Sequence, residues 1–347
     1  MHHHMQARTA ANMGPNGRGI VAIRTGVVGA CLFTLALLPP LVSANPVNAA
    51  ESGNPLRAAT ASSGGCQSEG TEGYWLVGSD GGVFSYGNAE YEGSMGGHSL
   101  DAPVVGMAAA GANGYWLAAS DGGVFSFGCA AFDGSMGGQL LATPIVGVAS
   151  PNSGGYWLVS RDGGVFAFGA AGFYGSLPAD GVHADNIVGM AGTPDGKGYW
   201  LVGSDGGVFA FGDAVYGGSA VGMTASPMAG IAADQGPSGG YWLVARSGAV
   251  FAFGGTAYDG SANTSTPSAP IVGITPMPLS YGCEMPTPPA PANGYHEAGA
   301  DGGVFSYGAA TYLGSMGGRA LNAPIVGMQY SMVPESPPCA PTGPPAA

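Results

Sequence analysis

The closest match to a catalytic motif is Gly236-Pro237-Ser238-Gly239-Gly240, which fits the G-x-S-x-G pattern around a nucleophilic serine. Such a serine sits on a sharp strand-to-helix turn and needs a histidine as general base. No helical periodicity follows Ser238, and beyond residue 49 the histidines are His98, His183 and His296. Glycine supplies 66 of 347 residues, so chance alone yields such a match. We therefore assign no catalytic residue and expect no enzyme activity.

A second candidate for chemistry is an aspartate that recurs before two glycines. The set comprises Asp80, Asp121, Asp162, Asp205 and Asp301. Asp-Gly is typical of tight hairpin turns, where the carboxylate accepts a backbone hydrogen bond and glycine adopts a positive φ. We interpret these aspartates as turn residues; the alternative is an acidic rim that binds cations or steers a basic partner. Separate turns converge poorly on one ion, so we expect neither a metal site nor a cofactor.

These residues belong to a block that occurs six times and reads Gly-Tyr-Trp-Leu-Val-x-Ser-Asp-Gly-Gly-Val-Phe-x-Phe/Tyr-Gly in its best copies. Its tryptophan recurs as Trp75, Trp116, Trp157, Trp200 and Trp242, and His296 replaces it in the sixth copy. Periods of about 40–50 residues are typical of solenoids and propellers. No period shows a 3.6-residue apolar pattern, which excludes helical repeats.

Each period contains short β-prone runs separated by glycine-rich turns. In the first copy these are residues 74–77, residues 83–86, a run around Tyr91 and residues 103–107. Four such strands predict one blade of a β-propeller. The sequence thus predicts an all-β, six-bladed propeller with four-stranded antiparallel blades over residues 66–332. The recurring tryptophan and phenylalanine of the block are expected between blades.

The fourth run of the period is offset from the other three. It first appears at Val105, after the first hairpin, and last at Val326, with no block after it. If this run is the inner strand of the next blade, the first blade lacks one and the C-terminal run supplies it. The ring would then close by pairing of the C-terminal strand with the N-terminal hairpin, leaving no sheet edge unpaired.

The block resembles the tandem GYWLVxSDGGVFxFG repeats of secreted proteins from high-GC Gram-positive bacteria, which are assigned to β-propeller folds. The resemblance covers nearly the whole chain after residue 66 and implies no catalytic role. In that family such repeats often accompany cell-wall hydrolase or protease domains. We recognise no such domain in this sequence, so the chain looks like the propeller module alone. The sixth copy departs from the family pattern at His296-Glu297, and the fifth has Arg246-Ser247-Gly248 in place of the Ser-Asp-Gly turn.

The N-terminal region predicts export. Three arginines precede an apolar run at residues 26–42, and small residues follow, so residues 1–49 are interpreted as a signal peptide, with cleavage after Ala44 as an alternative. An uncleaved membrane anchor is the other alternative. Residues 50–65 are expected to be a flexible linker, and the Pro-rich residues 333–347 an extended tail.

The net charge of the chain beyond residue 49 restricts the partners that it is expected to bind. Beyond residue 49 the chain has five basic and twenty-one acidic residues, a net charge of −16. This surface repels nucleic acid and anionic membranes, which need Lys and Arg. We expect a secreted or envelope-associated monomer that binds an unknown protein or cell-wall polysaccharide. A lectin-like carbohydrate-binding protein is the first alternative, and a hydrolase is the second.

The candidate binding residues are the polar departures from the repeat on the loops before the inner strands. They are His98, Asp101, Asp180, His183, Asp185 and Arg319. Four cysteines follow the signal peptide and predict two disulfides with three possible pairings: Cys66, Cys129, Cys283 and Cys339. We favour Cys66–Cys339, because both flank the joint between the two ends of the chain.

Overall fold

The computed structural model describes residues 72–111, 114–151, 154–236, 238–277 and 293–332. The predicted signal peptide, linker and Pro-rich tail lie outside these residues. The described residues form eighteen strands and one short 3₁₀ helix, Ala262–Ser265. No helix among them has the length and apolar character needed to cross a membrane.

The strands form six antiparallel sheets of three strands each. Sheet 1 contains β1 (Glu72–Gly78), β2 (Val83–Gly87) and β18 (Ile325–Met332). Sheet 2 contains β3 (Val104–Ala109), β4 (Gly114–Ala119) and β5 (Val124–Gly128). Sheet 3 contains β6 (Ile145–Ala149), β7 (Tyr156–Ser160) and β8 (Val165–Phe168). Sheet 4 contains β9 (Ile187–Gly192), β10 (Gly198–Gly203) and β11 (Val208–Gly212). Sheet 5 contains β12 (Met228–Ala233), β13 (Tyr241–Ala245) and β14 (Val250–Phe253). Sheet 6 contains β15 (Ile271–Pro276), β16 (Gly294–Gly299) and β17 (Val304–Gly308).

In every sheet the strand with the Tyr-Trp-Leu-Val run, or its counterpart in sheet 6, lies in the middle and is almost completely buried. Its side chains alternate between the two neighbouring sheets. Trp75 and Val77 of sheet 1, for example, pack against Tyr115 and Leu117 of sheet 2. A strand buried on both faces needs a continuous apolar run instead of alternation, which explains the composition of the block.

The C-terminal strand pairs with the first hairpin, as the offset of the fourth run predicts. β18 is antiparallel to β1, with Met328 opposite Leu76 and Gly327 opposite Val77. The same three-strand order, in which the strand preceding the block is the inner one, holds in the other five sheets.

Each inner strand carries a β-bulge immediately before its glycine. In sheet 2, Val104 lies opposite Ala119 and Gly106 opposite Ala118, so Val105 is the extra residue. The pairing shifts at the equivalent position in every sheet. A bulge turns the extra side chain away from its regular direction, and here the turned residues line a cavity described below.

The predicted fourth strand of each blade is absent from the described residues. The segment after β2, residues 88–95, has no regular secondary structure. Carbonyls of this segment accept hydrogen bonds from side chains and not from a neighbouring strand. Trp75 Nε1 donates to Glu90 O at 2.7 Å, and Tyr115 Oη of the next sheet donates to Gly93 O at 2.6 Å. The sheets are therefore three-stranded, and the prediction of four strands is wrong for this structure.

The sheets pack against one another in chain order, and sheet 6 packs against sheet 1. Trp75 lies against Tyr115 with ring centroids 5.1 Å apart, and the corresponding rings pair at the next four boundaries at 5.0 to 5.3 Å. At the sixth boundary His296 takes the tryptophan's place and lies 4.9 Å from Tyr74. Tyr74 Oη also donates to Gly314 O at 2.7 Å, although 240 residues separate them.

Neighbouring inner strands approach closely at their glycines. A methyl group on Gly327 would lie 3.6 Å from the Cα of Gly106, and one on Gly230 would lie 3.9 Å from the Cα of Gly273. These are ordinary contact distances. Neighbouring inner strands are therefore in contact here, but the distances at these two glycines do not exclude alanine.

Candidate binding surfaces

Two opposite ends of the sheets carry the loops, and we name them by their connections. The turn face carries the hairpin turns between middle and outer strands, such as residues 79–82, together with the starts of the inner strands. The opposite face carries the connections from inner to middle strands, such as the one between β12 and β13.

The serine of the G-x-S-x-G match belongs to a hydrogen-bonded network on the opposite face. Asp234 is buried, and its Oδ1 accepts a hydrogen bond from Gly236 N at 2.8 Å. Its Oδ2 accepts hydrogen bonds from Ser238 Oγ and from Thr256 Oγ1. Ser238 Oγ in turn accepts one from Gly240 N at 3.2 Å. The network closes the loop on itself, and no histidine among the described residues takes part in it.

The repeated aspartates form the turns that their sequence context predicts. Each accepts a hydrogen bond through Oδ1 from the N–H two residues later, at 2.9 to 3.1 Å: Asp80, Asp121, Asp162, Asp205 and Asp301. A hydrogen bond from Ser268 lowers the pKa of Asp301. Within the described ranges, no group of three or more His, Cys, Asp or Glu side chains is placed to hold a metal ion.

The six predicted binding residues are exposed and lie on three different connections of the turn face. His98 and Asp101 precede β3. Asp180, His183 and Asp185 precede β9, and the backbone carbonyl of Asp185 accepts a hydrogen bond from Arg161 Nε at 2.7 Å. Arg319 precedes β18. None of the six lines either of the two cavities described below, so their role in binding stays a prediction.

The cysteine pairings also stay predictions. Cys129 is exposed, just after β5. Cys66, Cys283 and Cys339 lie outside the described residues.

Sheet 6 buries two ionisable side chains where the other middle strands have Trp and Leu. His296 is 1% exposed, and its Nδ1 lies 2.9 Å from Ser306 Oγ. Burial lowers the pKa of His296 to about 4, so the ring is neutral near pH 7. Its ring also stacks on Tyr330 of β18 with centroids 6.4 Å apart. The histidine thus fills the tryptophan's place at the boundary with sheet 1.

Glu297 is fully buried and faces sheet 5. Its Oε1 accepts a hydrogen bond from Ala262 N at 3.0 Å, at the start of the 3₁₀ helix that replaces the regular loop of that sheet. Its Oε2 has no hydrogen-bond partner. Burial raises the pKa of Glu297 to about 8, against a smaller lowering by the Ala262 N–H. This hydrogen bond links Glu297 of sheet 6 to the irregular loop of sheet 5.

A sixfold set of exposed aromatic rings was not predicted from the sequence. One ring follows the outer strand of each sheet, and all are 56% to 61% exposed: Tyr91, Phe132, Phe173, Tyr216, Tyr258 and Tyr312. We call these six residues the rim aromatics. In sheets 1 to 5 the residue immediately before each rim aromatic accepts a hydrogen bond through its backbone carbonyl. The donor is the indole N–H of the tryptophan in the same sheet, at 2.7 to 2.9 Å. Aligning the six copies would reveal the position, but its exposure depends on the outer segment not forming a strand.

The inner strands of all six sheets line two cavities. The cavity toward the opposite face has a volume of about 630 Å³, and its wall is mainly Ala, Gly and larger apolar residues such as Met190 and Ile231. The cavity toward the turn face has a volume of about 410 Å³ and is lined by the six bulge residues: Val105, Val146, Val188, Ala229, Val272 and Val326. The residues that the inner strands contribute to the two cavities are thus mainly apolar.

Comparisons with known proteins show similarity at the level of structure. No family model matches the chain, and no curated protein matches it. Among solved structures, a chain in the crystal structure of a nidogen/laminin complex is similar with a TM-score of 0.48 and 10% sequence identity, covering 76% of this chain and 99% of that one.

Proposed function

We propose that the six sheets form a closed six-bladed β-propeller, which acts as a non-enzymatic interaction module outside the cell or in the cell envelope. Its ligand is a polysaccharide or a protein, and the rim aromatics favour a polysaccharide. Closure is supported by the boundary between sheets 6 and 1, where Tyr74 makes the ring contact and the hydroxyl–carbonyl bond found between the other sheets.

The observation that carries this proposal is the sixfold repetition of the rim aromatics. Scattered exposed apolar residues are ordinary on protein surfaces. Six equivalent rings with nearly equal exposure are instead a regular array. Aromatic rings present a flat apolar face at low conformational cost, which suits stacking against sugar rings. Equivalent sites spaced around one molecule gain avidity for a polymer with repeating units.

Several rings of the array have a fixed orientation. The hydroxyls of Tyr91, Tyr258 and Tyr312 lie 3.0 to 3.1 Å from the Oγ of the serine three residues later. Preorganised side chains lose less entropy on binding, which supports a binding role.

A non-enzymatic role is supported by how the candidate nucleophile is used. Ser238 donates its hydroxyl proton to Asp234, whose carboxylate also accepts hydrogen bonds from Gly236 N and Thr256 Oγ1. No histidine of the described residues is bonded to Ser238, although the serine of a catalytic triad donates to one. His98 and His183 belong to the turn face and Ser238 to the opposite face. The arrangement holds a loop in place and does not assemble a triad.

The test is binding of the mature chain to an insoluble, protein-free Gram-positive cell-wall polysaccharide. The variant replaces the rim aromatics of alternate sheets, Tyr91→Ser, Phe173→Ser and Tyr258→Ser. We expect saturable binding by the unaltered protein and a rise of more than about tenfold in Kd for the variant, because avidity is lost.

The control replaces three exposed apolar residues outside the array, Leu140→Ser, Val182→Ser and Met223→Ser, and should bind as the unaltered protein does. Circular dichroism must show that both variants are folded. Equal binding by the two triple variants, or no binding to protein-free polysaccharide, would contradict the polysaccharide proposal.

A further inference from the structure

The cavity on the turn face has an apolar wall built from all six sheets. The bulge in each inner strand directs one side chain into it, and five of the six are valine. Its volume of about 410 Å³ is within the range of small-molecule sites, about 300–1,000 Å³. The wall alone would suit an apolar group but would not specify what binds.

Two arginines line the same cavity, Arg161 and Arg246, together with Ser204 and Asn186. Arg161 and Arg246 hold the same position of the repeat, where the other copies have serine or alanine. The chain has only eight Lys and Arg residues in total, so two around one small cavity are a marked departure from the repeat.

The main chain of both arginines makes the hydrogen bonds that are found at this position in the other copies of the repeat. Arg161 N donates to Pro144 O at 2.9 Å, and Arg161 O accepts from Ile187 N of the next sheet at 3.1 Å. Arg246 makes the equivalent bonds to Pro227 and Ile271, both at 2.9 Å. Each arginine therefore bridges two neighbouring inner strands at the entrance to the cavity.

Among the described residues, the lining of this cavity contains two arginines and no acidic residue, although the chain carries 21 Asp and Glu. Carboxylates lie beside the lining in the chain, since Asp205 follows Ser204 and Asp185 precedes Asn186. In sheet 5 the turn aspartate is replaced by Ser247, whose N–H donates to Ser226 Oγ at 3.0 Å. In sheet 3, Asp162 Oδ1 is directed into its own turn and accepts bonds from Ser160 Oγ and Gly164 N.

Both guanidinium groups retain donors for a ligand. Arg161 uses Nε to bind the Asp185 carbonyl at 2.7 Å, which leaves the Nη groups. Within the part of the chain that the structure describes, neither Arg161 nor Arg246 forms an ion pair, whereas Lys197 binds Asp195 at 2.8 Å. Two guanidinium groups beside an apolar wall are suited to a carboxylate or a phosphate, which they bind in a bidentate manner.

We propose that the turn-face cavity binds a small organic anion, whose carboxylate or phosphate group is held by Arg161 and Arg246 and whose apolar part enters the valine-lined space. This site is separate from the rim aromatics and does not depend on polysaccharide binding.

The test is isothermal titration of the mature chain with four probes at low salt. Octanoate and hexyl phosphate carry both features, inorganic phosphate carries only the anion, and hexanol carries only the apolar part. We expect octanoate or hexyl phosphate to bind, and the two together show which anion is preferred. Phosphate and hexanol should bind at least about tenfold more weakly, because each lacks one half of the contacts.

Three variants locate the site. Arg161→Gln with Arg246→Gln should weaken binding of the preferred probe more than about tenfold. Ala229→Leu narrows the apolar space and should weaken octanoate and hexyl phosphate while leaving inorganic phosphate unchanged. Lys197→Gln, at an exposed lysine on the opposite face that does not line the cavity, should bind normally. Because the substituted arginines are exposed, the double variant is expected to fold.

The proposal is overturned if no anionic probe binds the unaltered chain, or if the double arginine variant binds as well as Lys197→Gln. Inorganic phosphate binding as tightly as hexyl phosphate, with no effect of Ala229→Leu, would overturn the apolar half of the site. None of these outcomes depends on the polysaccharide experiment, so the two proposals fail separately.

Discussion

Replacing Glu297 by glutamine should make the protein more stable at alkaline pH and leave it nearly unchanged in acid. The carboxyl group is fully buried, and Oε2 has no partner, so the folded state disfavours the ionised form. Its pKa rises from an ordinary value of 4.5 to about 8. The amide of the substituted glutamine would keep an oxygen to accept the Ala262 N–H bond and would not titrate.

The direction in which the free energy of unfolding changes with pH follows from the protons bound by the folded and unfolded states. Between pH 4.5 and about 8 the folded protein keeps a proton on Glu297 that the unfolded chain has lost. The free energy of unfolding therefore has its full value below 4.5 and decreases as the pH rises through about 8. The pKa difference corresponds to at most about 5 kcal/mol, because any water that reaches the carboxylate reduces it.

The assay is urea unfolding of wild type and Glu297→Gln, followed by tryptophan fluorescence. The two proteins should have similar midpoints at about pH 5, and the variant should be more stable by up to about 5 kcal/mol at about pH 9. Glu90→Gln, at an exposed glutamate, is the matched control and should follow wild type at both values. Parallel pH profiles for wild type and Glu297→Gln would refute the reasoning.

Four further predictions test the packing. Tyr199→Phe removes a hydroxyl that binds Gly175 O at 2.5 Å and Tyr174 N at 3.2 Å; urea unfolding should show a loss of about 1–2 kcal/mol, and no loss would count against the boundary contacts. Gly122→Ala should cost about 2 kcal/mol more than Gly138→Ala, since both have positive φ but only at Gly122 would the methyl lie 2.4 Å from Met136 Cβ; equal melting temperatures would argue against this packing. Because the pKa of His296 is depressed in the folded state, the wild-type protein should lose stability as the pH falls from 6.5 through about 4. His296→Trp should remove this loss. If the variant loses the same stability in acid as wild type, protonation of His296 is not its cause. Deleting residues 324–347 leaves β1 with an unpaired edge, and gel filtration should show aggregates; a stable monomer would show that β18 is dispensable.

The overall arrangement could be predicted from the sequence because each of its determinants is local and repeated. The Asp-Gly-Gly turns separate the middle and outer strands, and the continuous Tyr-Trp-Leu-Val run predicts a strand buried on both faces. The offset of the last run, which ends the described chain at β18, predicts the pairing with β1 that the structure has.

The outer edge could not be predicted because side chains compete there with strand pairing. The run around Tyr91 has strand-like composition, yet the indole of Trp75 and the hydroxyl of Tyr115 occupy the carbonyls of Glu90 and Gly93. Composition does not reveal such tertiary hydrogen bonds. The exposure of the rim aromatics follows from the same contacts and could not be foreseen either.

The candidate sites were predicted only in part for a similar reason. Residues such as His98 and Arg319 stand out as departures from the repeat, but the structure places them on separate connections. Arg161 and Arg246 also depart from the repeat. Their common cavity depends on the bulge that turns Val188 and its equivalents inward, and a Val-Gly pair in a strand does not by itself identify a bulge.

The most direct test of the closed ring is a crystal structure of the mature chain. It should show six sheets, with Ile325–Met332 antiparallel to Glu72–Gly78 of the same molecule and Met328 opposite Leu76. A different number of sheets, or a C-terminal strand that pairs elsewhere or with a neighbouring molecule, would contradict the closed ring and the turn-face cavity that all six inner strands enclose.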